Sequence, residues 1–141
     1  MIKEKKVEDY IYDKIVELSR IGDSFVDSGR FDAAIEKYEA AVNLLPEPVE
    51  QWEATGWLYA AIGDAYMFKK NYEKALNWFF DAQNVSDVGN PFLLLRIGEC
   101  SFEINDIEKA KSCLLQAYML EGERIFEDEP AKYFNVIKDI V

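Results

Sequence analysis

The chain has 141 residues, half of them apolar and 14% aromatic, with 16 basic against 27 acidic side chains for a net charge of −11. That length and apolar content suffice for one domain with a core and exclude an intrinsically disordered chain. The negative balance argues against nucleic-acid binding, which needs a positive footprint, and favours a basic partner.

The N-terminal stretch MIKEKKVEDYIYDKIVEL is broken by charges every few residues, so it lacks the apolar core of a signal peptide. No window approaches 18 apolar residues, and no membrane span is expected. Cys100 and Cys113 form no CxxC pair and fall within helical patterns. A reduced, cytoplasmic protein with both cysteines in its core is the simplest expectation.

In chain order, a long first helix is expected from near residue 4 to the Ser28-Gly29 break, and a second from Phe31 to Pro46. The pair then recurs. IGDSFVDSGRFDAAIEKYEAAVNLLP from Ile21 aligns with IGDAYMFKKNYEKALNWFFDAQNVSD from Ile62 and with IGECSFEINDIEKAKSCLLQAYMLEG from Ile97, at spacings of 41 and 35. Each copy has Gly after Ile (Gly22, Gly63, Gly98) and Ala twelve later (Ala34, Ala75, Ala110). A bulky residue comes four beyond that (Tyr38, Phe79, Leu114), and another Ala three further on (Ala41, Ala82, Ala117). Small residues let two helices approach, and large ones fill the groove between them. The segments SGRFD, KKNYE and INDIE read as tight helix–helix connections.

These positions resemble the tetratricopeptide repeat, whose signature sets apolar, Gly, aromatic, Ala, aromatic, Ala and Pro at fixed offsets. Copy one matches with Leu18, Ile21, Gly22, Phe25, Ala34, Tyr38, Ala41 and Pro46; copy two with Tyr59, Ile62, Gly63, Tyr66, Ala75, Phe79 and Ala82, with Asp87 in place of the final Pro. Copy three matches with Leu94, Ile97, Gly98, Ala110, Leu114 and Ala117, and departs at Ser101 and Gly122. The resemblance implies an all-α fold: one domain over 1–141, with three helix–turn–helix repeats at about 15–48, 56–89 and 91–124 in a short right-handed superhelix. A capping helix at about 130–140, PAKYFNVIKDI, would close it, with Pro130 in its first turn. The extra residues EPVEQWEATG are expected to lengthen the first helix of copy two.

The chemistry of the chain points away from catalysis. It has no histidine, which removes His-based acid–base work and the common zinc sites, and no Gly-rich phosphate loop. Carboxylate pairs such as Glu121 and Glu123 read as solvated helix faces. No enzyme activity, metal or cofactor is expected.

In the repeat family the first helix of each copy lines a concave groove. That carries over here to Asp23 and Asp27 in copy one and to Trp57, Asp64, Met67 and Phe68 in copy two. Copy three contributes Phe92, Arg96, Glu99, Phe102 and Glu103. Asp23, Asp64 and Glu99 follow the three repeat glycines, which predicts a stripe of carboxylates flanked by aromatic anchors for a basic or mixed basic–apolar protein. Repeat proteins that hold the C-terminal carboxylate of heat-shock chaperones use Lys, Asn and Arg in this groove. Here the Lys and Asn positions are Ser19 and Asp23, and Arg96 alone matches, so an anionic tail is disfavoured.

The second half, and above all AYMLEGERIFEDEPAKYF, resembles small bacterial tetratricopeptide immunity proteins of polymorphic or contact-dependent toxin systems. That resemblance covers about residues 52–137 and implies a cytoplasmic protein that neutralises a cognate, basic toxin domain. A secretion chaperone of the type III translocator class and a general scaffold are the alternatives. Self-association through an exposed end stays open.

Overall fold

The computed structural model describes residues 8–86 and 89–141. Among them are seven α-helices and no strand: α1 Asp9–Asp27, α2 Phe31–Val42, α3 Glu53–Phe68, α4 Tyr72–Val85, α5 Pro91–Glu103, α6 Ile107–Glu121 and α7 Ala131–Asn135. The expected start of the first helix near residue 4 lies outside the described residues. The chain divides into two compact units, Met1–Ser86 and Asp87–Val141.

The first unit holds copies one and two. In α1 the residues Ile11, Ile15, Leu18, Gly22 and Phe25 recur at three- and four-residue spacing, the period that lays them on one face. That face meets Ala34, Ile35, Tyr38 and Ala41 of α2. α3 packs on both α2 and α4, and so its apolar residues spread around much of its circumference. Ile15, Leu58, Ile62 and Phe79 are fully buried. Each such side chain stabilises the fold by about 1.5–3 kcal/mol relative to its exposure to water.

The repeat glycines set how closely each pair approaches. A Cβ on Gly22 would lie 2.6 Å from Tyr38 Cε1, one on Gly63 2.6 Å from Phe79 Cε1, and one on Gly98 2.7 Å from Leu114 Cγ. Each bulky residue of the second helix therefore sits on the glycine of the first, as the sequence spacing predicts.

All three connections close in one way. Arg30 N–H donates to the Phe25 carbonyl and Gly29 N–H to Val26; Asn71 and Lys70 donate likewise to Tyr66 and Met67, and Asp106 and Asn105 to Ser101 and Phe102. This Schellman closure needs a left-handed residue at its fifth position. Gly29, Lys70 and Asn105 occupy it, at φ of 77°, 65° and 69°.

The segment between copies one and two only partly lengthens α3. Val49–Gln51 form a separate 3₁₀ turn, and α3 starts at Glu53. Two side-chain hydrogen bonds pin this turn: Trp52 Nε1 donates to the Pro46 carbonyl and Thr55 Oγ1 to the Val49 carbonyl, both at 2.6 Å.

In the second unit, Asn90 caps α5, accepting from the N–H groups of Phe92 and Leu93, with Pro91 opening the helix. Asp106 caps α6 through the Lys109 N–H. The capping element is shorter than expected. Pro130 stands just before α7, which ends at Asn135, and a 3₁₀ turn over Lys138–Ile140 follows. Tyr133 of α7 packs edge-on against Phe102 of α5, and Phe134 packs against Tyr118 of α6. Cys100 is buried and Cys113 half-buried, both as free thiols.

Candidate partner-binding surface

In the first unit α1 exposes carboxylates and α3 exposes aromatic rings. On α3, Trp57, Asp64 and Phe68 stand seven and four residues apart, which puts them on one stripe. Trp57 is 40% and Phe68 48% exposed. Phe31 of α2 stacks on Phe68 with ring centroids 5.7 Å apart, and Lys69 pairs with Asp32 beside them. Asp64 and Met67 are half-buried.

Asp23 and Asp27, one turn apart on α1, are exposed. The ring of Tyr38 lies over Gly22, and its hydroxyl reaches past the glycine to donate a 2.5 Å hydrogen bond to Asp23 Oδ1. Burial and the Asp23 bond, then the charges of Asp23, Asp64 and Asp27, push the Tyr38 pKa well above the usual tyrosine range. Three of the carboxylates expected from sequence thus act on one hydroxyl.

Copy three differs. Glu99, expected as the next surface carboxylate, has no exposed area. Its Oε1 accepts a hydrogen bond from Arg96 at 2.9 Å, and the same guanidinium nitrogen donates to Glu129 Oε1 at 2.8 Å. Burial raises the Glu99 pKa to about 9, as does its hydrogen bond to Glu129, while Arg96 opposes the rise. For Glu129, burial works upward too, but the Glu99 hydrogen bond and Arg96 win and hold it below the usual carboxylate range. Glu99 Oε2 is buried and no group donates to it, so a negative charge there would go uncompensated beside the Glu129 carboxylate. Glu99 is therefore the protonated member near neutral pH. It is a core residue, and the expectation of a partner-facing charge there is corrected. Burial, and after it the neighbouring Glu129 carboxyl, keeps the proton on Glu99, so the position offers a partner neither surface nor charge.

Other residues of α5 are engaged internally as well. Glu103 accepts from the Tyr133 hydroxyl and pairs with Lys132, both at 2.6 Å. Phe102 is half-buried under Tyr133, and Phe92 is 65% exposed. Sequence periodicity missed Glu129, Lys132 and Tyr133 because they lie beyond the repeats; the dense charged and aromatic run EDEPAKYF is the only trace of them.

Residues 58–83 and 93–123 match the family model of the tetratricopeptide repeat. Those two segments are tetratricopeptide repeats. The matches fall on copies two and three; copy one, with its own Gly22–Tyr38 contact, lies outside them. Mouse tetratricopeptide repeat protein 21A is 30% identical over 111 residues, which is 79% of this chain and 8% of that protein. The Yersinia enterocolitica type III secretion chaperone SycD, in complex with a peptide of the translocator YopD, superposes with a TM-score of 0.72 at 16% identity over 90% of this chain and 92% of that one. The first tetratricopeptide domain of Spaghetti (RPAP3), bound to an HSP90 peptide, gives 0.69 at 19% identity over 90% of each chain. These likenesses establish the fold.

Among the described residues no helix is long and apolar enough to cross a membrane, and no three potential metal-ligating side chains gather.

Proposed function

We propose that this tetratricopeptide scaffold binds a basic protein partner, and that the α1–α3 face is its main contact. The observation that carries this reading is that α1 exposes Asp23 and Asp27, with Asp23 held by the Tyr38 hydroxyl, while α3 exposes Trp57 and Phe68 on the stripe that carries Asp64. Clustered carboxylates steer and select a cationic surface, and exposed aromatic rings anchor it. An acidic peptide would meet repulsion at the same face.

Within this reading the partner is a toxin domain and the chain its immunity protein. The support is the resemblance of AYMLEGERIFEDEPAKYF to small tetratricopeptide immunity proteins, together with a net charge of −11 suited to covering a basic active site. A second reading, a secretion chaperone, draws on the likeness to SycD over nine-tenths of both chains. A chaperone for an extended apolar segment would need a face with fewer charges than Asp23, Asp27 and Asp64 supply.

Affinity capture from the native cell at moderate salt, followed by co-expression, separates the two. A captured basic domain that stops growth alone, and is silenced by this chain, supports immunity. A captured secreted protein held through an apolar segment replaces that reading with the chaperone one.

A further inference from the structure

We infer that a cavity in the second unit receives a lysine or arginine side chain, supplied by the basic partner proposed above, on which this inference rests. The cavity measures about 410 Å³. Phe92, Leu95 and Ile125 give it an apolar wall, and Phe92 is 65% exposed. That wall suits the methylene stem of a long cationic side chain.

The charges around the cavity do not cancel. Arg96 is engaged by Glu99 and Glu129, and Arg124 by Glu121 at 2.6 Å. Glu127 and Asp128 complete the lining, and no cation among the described residues pairs with them. Two exposed carboxylates thus stand beside an exposed aromatic ring whose face attracts a cation. The local pairs leave the cavity net negative, so it selects a cation over a neutral or acidic side chain. The proposed role of α5 in partner binding then falls on Phe92 and this acidic rim and not on Glu99.

Small probes test the cavity without the partner. Amide spectra of the full chain are titrated with N-acetyl-lysine methylamide, its norleucine counterpart of similar stem, and its glutamate counterpart. The lysine probe is expected to shift the Phe92, Ile125, Glu127 and Asp128 amides saturably, with affinity above norleucine by about fivefold. Glu127→Gln with Asp128→Asn, both at exposed positions, should erase that preference. Equal response to lysine and norleucine, or a preference that survives the double variant, overturns the inference. If the titration fails but partner binding still depends on Asp23 and Asp64, the cavity assignment alone falls. If lysine binds here but the captured partner is acidic, the functional reading alone falls.

Discussion

Tyr38 donates a 2.5 Å hydrogen bond to Asp23 across the Cβ-less gap at Gly22, joining the packed second helix of copy one to the acidic face of its first. Asp23 is exposed, so water screens part of the interaction. Tyr38→Phe should cost about 1 kcal/mol at neutral pH, below the roughly 1.5–3 kcal/mol of an unscreened bond to a charged group. The phenol pKa is raised in the folded state, so its stabilisation is complete below the ordinary tyrosine pKa of about 10 and fades as pH rises through the folded value. Urea unfolding in alkaline buffer should therefore show a smaller pH dependence for the phenylalanine variant. Identical curves at every pH would show that the bond contributes nothing.

The glycine–bulky pairs predict a ranked series. Gly63→Ala gains about 1 kcal/mol of helix propensity but drives its methyl into Phe79, an overpacking cost of roughly 1–3 kcal/mol. Gly98→Ala should be worse. Besides Leu114 Cγ, its methyl would face the Leu114 backbone nitrogen at 3.2 Å, which cannot rotate away as a side chain can. Thermal unfolding of the two variants measures the order. A stabilised Gly98→Ala protein would mean that the helix pair tolerates a wider separation.

Lys70 holds the left-handed turn position that Gly29 and Asn105 fill elsewhere. A lysine there carries roughly 1 kcal/mol of strain between Cβ and the following carbonyl, while asparagine adopts the conformation more readily. Lys70→Gly should stabilise the first unit by about 0.5–1 kcal/mol, and Asn105→Gly should do less for the second. Denaturant midpoints decide this, and a destabilised Lys70→Gly chain would contradict the strain argument.

Glu99 gives the second unit a pH dependence of definite sign. Its folded pKa of about 9 lies above the ordinary carboxylate value, so its stabilisation is complete below that ordinary value and is lost as pH rises from there to about 9. Glu129 works in the opposite sense: its contribution is present above the ordinary value and lost as pH falls through its lowered one. Glu99→Gln keeps the shape and removes the proton cost. It should be more stable than the parent at mildly alkaline pH, by about 1 kcal/mol or more, with a flatter profile between pH 5 and 9, roughly the window of the shift. Glu99→Lys should disrupt the core instead. Equal pH profiles for the parent and Glu99→Gln would contradict the protonated, buried assignment.

Much of the scaffold was legible because repetition exposes it. Three Ile-Gly pairs marked the first helices, and the spacing to Tyr38, Phe79 and Leu114 named the residues that pack on those glycines. Asp23 and Asp64 share their place after the glycine, and the charges of both help raise the Tyr38 pKa. The same logic misplaced Glu99. Equivalence between copies carries over backbone position, but burial depends on what packs outside the repeat. In the second unit that is the segment carrying Glu129, Lys132 and Tyr133, which engages Arg96 and Glu103. No repeat register encodes it. The length of the cap was also misjudged, because PAKYFNVIKDI has a helical pattern but tightens into a 3₁₀ turn after Asn135.

Trp57 tests the apolar half of the binding face. Truncation of an exposed aromatic anchor at the centre of an interface typically costs 2 kcal/mol or more, against little change for a rim residue. Trp57→Ala should weaken partner binding by about that amount; because the larger part of the side chain is buried, it should also lower stability by roughly 1–3 kcal/mol, so binding is compared where both proteins are folded. Full affinity in this variant would place the partner elsewhere.

The most direct test of the central claim is calorimetric titration of the captured partner against the chain and against Asp23→Asn, Asp27→Asn, Asp64→Asn combined, at low and moderate salt. The account predicts that the neutralised variant, folded as judged by its helical spectrum, binds at least about tenfold more weakly and loses most of its salt dependence. A folded variant with unchanged affinity and unchanged salt dependence would contradict it.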